Sequence, residues 1–422
     1  MEDLPSPSNQ DFISLYLQYT SQTECPTFFH RWVGLTCLSA WIGRDIYFPF
    51  GHIKIHSNMY VMLVGLAGTK KSTAIKIGTK LLSTAGYTKF AADKTRQEKF
   101  LVDLVEDMQV GSLGDSILEQ NLFGGTDMST PAEAFVASDE INNFIGVGNM
   151  DFMSILGELW DIDKPYKYKL KNSASVLIPF PTITLLAGNT FVGLNKLFPP
   201  EAIEQGFFSR IVFVYGEPTD IKYTIPPNPD IGLRDTLIEL LKEIKQKVYG
   251  EIMITPGAYS ILDKIYKSDR KLDDPRFDAY ENRRQQHLLK VCMLVAASRV
   301  SKIIDEGCII EANTLLTFTE QLMPKALGEF GRARNSGVTH KVMSAVDSTL
   351  LPISFQTIWK LVHTDLETRI QLADILSNLI AAEKIQVVET GEGYLPIKKV
   401  MNSAIDGTVN WNLLTNAERK LA

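Results

Sequence analysis

Apolar residues along this chain follow two different patterns. Mainly apolar runs at residues 60–64, 134–138, 182–189 and 211–215 are typical of strands buried on both faces, and residues 87–92 predict a further short strand. Between them, apolar residues recur every three or four positions, as in residues 72–82 and 100–108, which predicts amphipathic helices. Strands that alternate with helices predict an α/β fold in which helices cover both faces of a parallel sheet.

The same patterns divide the chain into parts. Residues 1–45 predict an N-terminal helical segment, and residues 46–220 contain the strand-forming runs of the core. After a Pro-rich linker, residues 230–330 are helical by period, which predicts an all-α lid domain. Residues 338–400 predict three short helices and a two-stranded hairpin, the element order of a winged helix. Residues 401–422 then form a C-terminal tail.

A glycine-containing loop follows the first strand. Residues 65–73 spell Gly-Leu-Ala-Gly-Thr-Lys-Lys-Ser-Thr between an apolar run and a helical pattern, the context of a phosphate-binding loop. Against G-x-x-x-x-G-K-[ST], Gly65 is the first glycine, Lys71 the phosphate lysine and Ser72 the magnesium ligand. Lys70 replaces the last glycine, which is costly if its φ is positive, and Gly68 is the candidate for supplying flexibility instead. An incidental strand-turn-helix with two solvated lysines is the alternative. The residues expected to contact ATP are Gly65, Ala67, Gly68, Thr69, Lys70, Lys71, Ser72 and Thr73.

Two adjacent carboxylates, Asp139 and Glu140, end the run at residues 134–138. In ATPases with a phosphate-binding loop, the first such carboxylate holds Mg²⁺ and the second polarises the attacking water. Neighbouring side chains at a strand end point in different directions, so one can face the metal and the other the γ-phosphate. We therefore expect Ser72 and Asp139 at Mg²⁺ and Glu140 at the water. A solvated pair of loop acids is the alternative.

Asn189 and Arg210 are the remaining catalytic candidates. Asn189 ends the run at residues 182–189, and we expect its strand between the loop strand and the Asp139 strand, where its amide can contact the water or the γ-phosphate. Arg210 precedes the run at residues 211–215, and an ordinary strand-end arginine is the alternative reading. Arg283 and Arg284 open a helical pattern in the predicted lid, from which one of them could reach the nucleotide.

Residues 166–178 form a basic cluster in an acidic chain. Tyr and Lys alternate from Tyr166 to Lys169, and an apolar run follows, which predicts a β-hairpin with a basic, aromatic arm. Lys167, Lys169 and Lys171 would present amines to a nucleic-acid backbone, while Tyr166 or Tyr168 could stack on bases. An edge hairpin whose lysines only prevent aggregation is the alternative.

Composition and charge narrow the function classes. The 422 residues carry a net charge of -6, so a polyanionic partner must meet a local basic patch. The four cysteines, at positions 25, 37, 292 and 308, lack C-x-x-C spacing, which favours buried free thiols over zinc ligands. The N-terminus lacks the features of a signal peptide, and no apolar run approaches the roughly 20 residues of a membrane span. We therefore expect a cytoplasmic protein without a membrane partner.

Residues 20–330 resemble an uncharacterised family of P-loop ATPase domains from phage and mobile-element replication proteins, often fused behind primase-polymerase domains. The likeness is carried by Gly-x-x-Gly-Thr-x-Lys-Ser at residues 65–72, Ser-Asp-Glu-Ile at 138–141, Leu-Trp-Asp at 159–161, Ile-Pro-x-Pro at 178–181 and Gly-Phe-Phe-Ser-Arg at 206–210. The order of these motifs around the basic hairpin also resembles the helicase-type AAA+ ATPases, including the minichromosome-maintenance helicases. That resemblance implies DNA contacts at Lys169 and Lys171, a sensor at Asn189, an arginine finger at Arg210 and a lid sensor at Arg284.

The sequence therefore predicts a Mg-ATP-dependent motor that unwinds or translocates on DNA in phage or plasmid replication. Single-stranded or forked DNA is the expected partner, and a homo-oligomeric ring, with a hexamer favoured, is the expected assembly. A primase or another replication protein is the candidate protein partner. Two alternatives stay open, an ATP-switched helicase loader or remodeller and a non-hydrolysing nucleotide-binding scaffold. Lys70 favours the scaffold, whereas the Asp139-Glu140 pair disfavours it.

Overall fold

The computed structural model of the chain describes residues 11–110, 130–169, 176–199, 202, 206–268, 272, 274–327, 336–347, 352–366, 368–381, 385–388, 393–396 and 407–421. Contacts group the chain into two units, Met1–Leu327 with Gly407–Ala422 and Gly328–Asp406. The second unit is therefore inserted in the sequence of the first, close to its C-terminal end.

Helices and strands alternate through the first half of the chain, and helices dominate the second. The helices are α1 (Phe12–Tyr19), α2 (Thr27–Ile42), α3 (Lys71–Thr84), α4 (Gln97–Val110), α5 (Ile141–Ile145), α6 (Met150–Glu158), α7 (Phe191–Leu197), α8 (Ile231–Lys247), α9 (Pro256–Lys267), α10 (Asp278–Glu281), α11 (Arg284–Ser298), α12 (Glu306–Leu327), α13 (Ser336–Asp347), α14 (Phe355–Val362), α15 (Arg369–Ala381) and α16 (Asn416–Arg419). The strands are β1 (Ile46–Phe50), β2 (Ile53–His56), β3 (Tyr60–Val64), β4 (Glu133–Ser138), β5 (Tyr166–Tyr168), β6 (Val176–Ile178), β7 (Thr182–Asn189), β8 (Ile211–Tyr215), β9 (Gly250–Glu251), β10 (Met253–Ile254), β11 (Ile303–Ile304), β12 (Ile385–Val387) and β13 (Tyr394–Pro396).

The central sheet has four parallel strands in the order β4-β7-β3-β8. Every residue of β3 and β7 is buried, as expected for inner strands of a sheet that is covered on both faces. The strand that ends in Asn189 lies between the loop strand β3 and the Asp139 strand β4. The predicted α/β class, the parallel sheet and this strand placement are confirmed. The run at residues 87–92 makes only a single parallel bridge, between Phe90 and Phe135, so the strand predicted there is wrong.

Helix α2 packs against the sheet with 14 of its 16 residues buried. It contacts β3, β7 and β8, and it packs on α3. Helix α12 packs on β8, and it meets α2 through a hydrogen bond from Trp32 Nε1 to Thr319 Oγ1 (3.1 Å). The helices expected to form a lid are thus, as far as Leu327, in the same unit as the sheet, and α12 is in direct contact with its edge strand β8.

Two short hairpins accompany the sheet. Strands β1 and β2 pair antiparallel around Gly51, whose φ of 62° suits a tight turn. Strands β5 and β6 also pair antiparallel, with Lys167 opposite Leu177, so the predicted basic hairpin is confirmed. Lys171 and the rest of residues 170–175 lie outside the described residues.

The C-terminal segment of the chain belongs to the first unit. Asn313 Nδ2 on α12 donates to the Thr408 carbonyl oxygen (2.9 Å). Arg31 on α2 forms a buried, two-pronged ion pair with Glu418 on α16, at 2.7 and 2.8 Å. The residues expected to form a tail, 401–422, therefore include a segment that is anchored on the α-helical layer.

The second unit follows the element order expected for residues 338–400. Helices α13, α14 and α15 precede β12 and β13, which pair antiparallel, and Ile353 adds an antiparallel bridge to Tyr394. Its apolar core includes Val342, Val346, Ile358, Val362, Leu372, Leu376 and Ile385.

The cysteines at positions 25, 37, 292 and 308 are buried free thiols, as predicted. In the part of the chain that the structure describes, no helix combines the length and the apolar character needed to cross a bilayer.

Candidate functional site

Three neighbouring strands bring the predicted loop, acidic and amide residues to one edge of the sheet. Val64 and Asn189, the last residues of β3 and β7, are paired, and Ser138 at the end of β4 pairs two residues before Asn189. Gly65 and Asp139, which follow directly, therefore lie within about one residue of the level of Asn189. Carboxyl edges of parallel sheets are where α/β folds bind ligands.

Close packing fixes the loop between β3 and α3. Thr69 is buried, and its hydroxyl donates to the Leu66 carbonyl oxygen (2.9 Å). A Cβ on Gly65 would lie 2.5 Å from the Gly216 carbonyl oxygen, so a larger residue would clash with the backbone there. Gly68 has a φ of +90°, in the left-handed region that favours glycine. Both glycines of the predicted loop are thus required by its conformation.

Lys71 begins α3 and directs its amine back into the loop. Its Nζ donates to the carbonyl oxygens of Gly65 and Leu66 and to Thr69 Oγ1, each at 2.9 Å. The side chain is 8 % exposed, and burial lowers the pKa of the amine. A buried ammonium whose partners here are neutral oxygens would gain from a charged acceptor such as a phosphate group.

Lys70, which stands in place of the last loop glycine, has φ 59° and ψ 25°. This is the costly, left-handed case for a residue with a side chain. Its ammonium pairs with Glu24 Oε2 (2.6 Å), and its carbonyl oxygen accepts from Cys25 Sγ (3.5 Å). The side-chain hydrogen bond between Lys70 and Glu24 lowers the pKa of Glu24 and raises the pKa of Lys70. The segment between α1 and α2 therefore holds Lys70 from outside the loop.

Asp139 lies against the loop helix. Its Oδ2 pairs with Lys76 Nζ (2.9 Å), and this hydrogen bond raises the pKa of Lys76. Lys76 is one helical turn after Ser72, so both project from the same side of α3. Glu140 takes the N-cap position of α5 and is exposed at the same edge of the sheet.

The donors at this edge fit Mg²⁺. The Ser72 hydroxyl and the Asp139 carboxylate are hard oxygen ligands, and the Lys76 contact shows that Asp139 faces the helix that carries Ser72. Within the described ranges, no group of three or more His, Cys, Asp and Glu could hold a metal ion. A Mg²⁺ ion would thus draw its other ligands from water and phosphate oxygens, as Mg²⁺ commonly does.

Asn189 is 3 % exposed at the end of β7. Its Oδ1 accepts the backbone N–H of Thr190 (2.9 Å), and its Nδ2 donates to Asn142 Oδ1 (2.9 Å). These two bonds leave one further N–H of the amide, because a primary amide carries two.

Arg210 lies at the other end of the strands, before the first residue of β8. The next residue, Ile211, pairs with Tyr60 at the start of β3, so Arg210 is six residues, or roughly 20 Å, from Gly65 along the strands. Its guanidinium donates to the Gly206 carbonyl oxygen (2.6 Å) and lies 3.7 Å from Asp161 Oδ1. The side chain is 11 % exposed, and no acceptor among the described residues is within hydrogen-bonding reach of its buried Nε. Arg210 is therefore largely engaged within its own chain.

Arg284 is held among side chains of α12. Its Nε donates to Glu320 Oε1 (2.7 Å), and its Nη2 donates to Asn313 Oδ1 (2.9 Å). Burial lowers the pKa of Arg284, but the negative charge of Glu320, together with contributions from Tyr280 and Cys292, outweighs burial and raises the pKa. The structure thus groups Arg284 with the helical layer, whereas the loop, Asp139, Glu140 and Asn189 share the sheet edge.

In the described part of the basic hairpin, the lysines are exposed and the tyrosines form hydrogen bonds with the domain. Lys167 and Lys169 are exposed. Tyr166 Oη donates to Glu158 Oε2 (3.1 Å), and burial together with Glu158 raises the pKa of Tyr166 to about 12. Gln97 Nε2 donates to Tyr168 Oη (3.5 Å). The two faces of β5 and the residue after it therefore differ. The amines of Lys167 and Lys169 are accessible to a partner, whereas the hydroxyls of Tyr166 and Tyr168 form hydrogen bonds within the domain.

Sequence reasoning did not single out a role for Glu24, Lys76, Asn142 or Asp161. Of these four, only Lys76 could have been found from the sequence, because a residue four positions after Ser72 on a helix lies on the same face as Ser72.

No protein-family model matches this chain, and a search of curated proteins gave no significant match.

Proposed function

We propose that this chain is an ATPase of the P-loop class that uses Mg-ATP to move on DNA as an oligomer. One observation carries the proposal: the strand order β4-β7-β3-β8 brings a lysine-bearing glycine loop, two carboxylates and a buried amide to one sheet edge. An incidental strand-turn-helix with two solvated lysines does not account for Lys71, whose amine is buried inside the loop.

Each residue at the edge has a role that its environment supports. Lys71 and the loop amides bind the β- and γ-phosphates, and Ser72 with Asp139 holds Mg²⁺, which neutralises charge that develops on the phosphates. Glu140 and Asn189 place and polarise the attacking water. The loop contacts of Lys71 are with neutral oxygens, so exchanging them for phosphate oxygens leaves no buried charge without a partner.

The DNA part of the proposal is supported by the hairpin β5–β6. Its exposed Lys167 and Lys169 can contact phosphates, and Lys171 continues the same alternation in the sequence. The second unit has the element order of a winged helix, which frequently accompanies DNA-binding proteins.

A loader or remodeller that acts on another replication protein is the second candidate, because of the surface of the second unit. Helix α15 has one basic residue, Arg369, and Ile370 beside it is 71 % exposed. Leu361 on α14 is also exposed. Apolar side chains of this kind suit contact with a protein better than contact with DNA phosphates.

Steady-state ATPase activity with and without single-stranded DNA, combined with strand displacement from a forked duplex, tests the proposal. A motor hydrolyses ATP, is stimulated by single-stranded DNA and separates the strands. ATP turnover that ignores DNA would favour the loader. ATP binding without turnover would favour a scaffold and overturn the proposal.

A further inference from the structure

Asn142 links the two residues that the proposed function assigns to the attacking water. It lies on α5, two residues after Glu140, and its side chain contacts Asn189 on β7. Both ends of its amide are used, since Oδ1 accepts from Asn189 Nδ2 (2.9 Å) and Nδ2 donates to the Gly193 carbonyl oxygen (3.0 Å).

The hydrogen bonds define the orientation of both amides. The Thr190 backbone N–H can only donate, so the atom of Asn189 that it contacts must be the oxygen. The Nδ2 atom of Asn189 therefore faces Asn142, so the Asn142 atom that accepts this hydrogen bond must be Oδ1. The Asn142 nitrogen then faces the Gly193 carbonyl oxygen, which can only accept. No flipped arrangement of either amide satisfies the three bonds.

The backbone around Asn189 leaves little room for any other arrangement. A Cβ on Gly193 would lie 1.9 Å from Asn189 Oδ1, so the first turn of α7 closes directly over the amide. Thr190 caps that turn by accepting the Gly193 backbone N–H (3.1 Å). The first turn of α7 thus packs against the oxygen of the Asn189 amide, and Asn142 contacts its nitrogen.

We infer that Asn142 is a positioning residue, which sets the Asn189 amide and ties it to the short helix that begins after Glu140. This inference rests on the proposed ATPase function. A hydrogen bond between the two elements keeps the amide and the carboxylate in a fixed relation, so both address the same water. Loss of the bond leaves the side of the Asn189 amide that faces Asn142 without support, so its nitrogen can shift, and misplacement of a catalytic group by about 1 Å can cost on the order of 100-fold in rate.

The test compares Asn142→Ala with Asn143→Ala, a change of the same residue type at the next, exposed position of the helix. We expect Asn142→Ala to lower kcat by about 10- to 100-fold, the usual range for residues that orient a functional group, with KM for ATP and ATP affinity nearly unchanged. Asn143→Ala should retain wild-type kcat. Asn142→Asp keeps the acceptor for Asn189 at nearly the same volume, so its kcat should lie between those of Asn142→Ala and wild type.

A double-mutant cycle separates positioning from a merely structural role. If Asn142 acts through Asn189, Asn142→Ala should have little further effect on kcat in an Asn189→Ala background. Equal and multiplicative effects in both backgrounds would overturn the inference, as would wild-type kcat in Asn142→Ala. If these results appear while Glu140→Gln abolishes turnover, the inference fails and the proposed function survives. Absence of ATPase activity in the wild type would overturn both.

Discussion

Lys70 is the residue at which the loop departs furthest from an ideal phosphate-binding loop. It adopts a left-handed conformation that glycine would take without strain, and its ion pair with Glu24 lies on the surface. Surface ion pairs contribute little to stability, so the Glu24 contact orients the side chain more than it offsets the backbone cost. The strain at Lys70 and the role of Lys71 are therefore separable.

Lys70→Gly should relieve this strain without removing the phosphate site. We expect the thermal unfolding midpoint to rise by about 1–2 °C and ATP binding to be retained. Lys80→Gly is the matched control, because it makes the same change inside α3, where glycine weakens a right-handed helix and should lower the midpoint. Loss of ATP binding in Lys70→Gly would show instead that the Lys70 ammonium contacts phosphate.

At the level of secondary-structure elements, the hairpin β5–β6 carries the DNA prediction. Replacing Lys167 and Lys169 with Ala should weaken single-strand binding and flatten the slope of log affinity against log salt by about 1.4, or about 0.7 for each lost phosphate contact. Basal ATPase activity should survive, because the hairpin is not part of the sheet edge that carries the loop.

The control for the hairpin variant is Lys242→Ala with Lys247→Ala. These changes remove the same charge from α8, where both lysines pair with glutamates of their own helix. Binding measured at several salt concentrations distinguishes a local contact from a general charge effect. An equal change of slope in both variants would contradict a DNA contact at the hairpin.

The elements that could be predicted are those with a strong local pattern. The mainly apolar β3 and β7, the Tyr-Lys alternation of β5 and the helical period of α3 each specify their state over several residues. Around Phe90, polar Lys89 and Asp93 limit the apolar run, and the strand reduces to one bridge. Local sequence therefore decides which elements form, whereas their extent depends on the neighbouring strand.

The candidate site was predictable at the residues that a motif fixes by spacing, such as Lys71 and Asp139. Contacts from distant segments were not predictable. Glu24 is 46 positions before Lys70, and no residue near Lys70 in the sequence indicates that the two form an ion pair. The pairing of Asn142 with Asn189 depends in the same way on how α5 lies over β7. Such contacts are properties of the packing rather than of any single motif.

At the level of the whole molecule, the position of Arg210 bears on assembly. It is at the edge of the sheet opposite the loop, so it cannot easily serve the site of its own chain. As an arginine finger it would act in a neighbouring subunit, after release from Gly206 and Asp161, and would accelerate hydrolysis on the order of 10³-fold or more. Head-to-tail contacts of this kind close into rings when the rotation allows.

Mixing two inactive variants tests for a shared site. Arg210→Ala should bind ATP without hydrolysing it, and Lys71→Ala should lose the phosphate site, but a mixed interface can pair an intact Arg210 with an intact Lys71. We expect ATPase activity to return on mixing and wild-type activity to rise steeply with protein concentration. Asp161→Asn, which removes the carboxylate that faces Arg210 and Arg283 but keeps the Gly206 contact of Arg210, should remain active. No recovery, when mixed oligomers demonstrably form, would make Arg210 an ordinary strand-end arginine.

Under the proposed function, the carboxyl edge of the sheet binds and hydrolyses Mg-ATP. Phosphate release and equilibrium ATP binding, measured for wild type, Lys71→Ala, Glu140→Gln and the control Lys80→Ala, test it most directly. We predict turnover in wild type and Lys80→Ala, binding without turnover in Glu140→Gln, and neither in Lys71→Ala, because only Lys71 places a charge inside the loop. Equal ATP affinity in wild type and Lys71→Ala would contradict the claim.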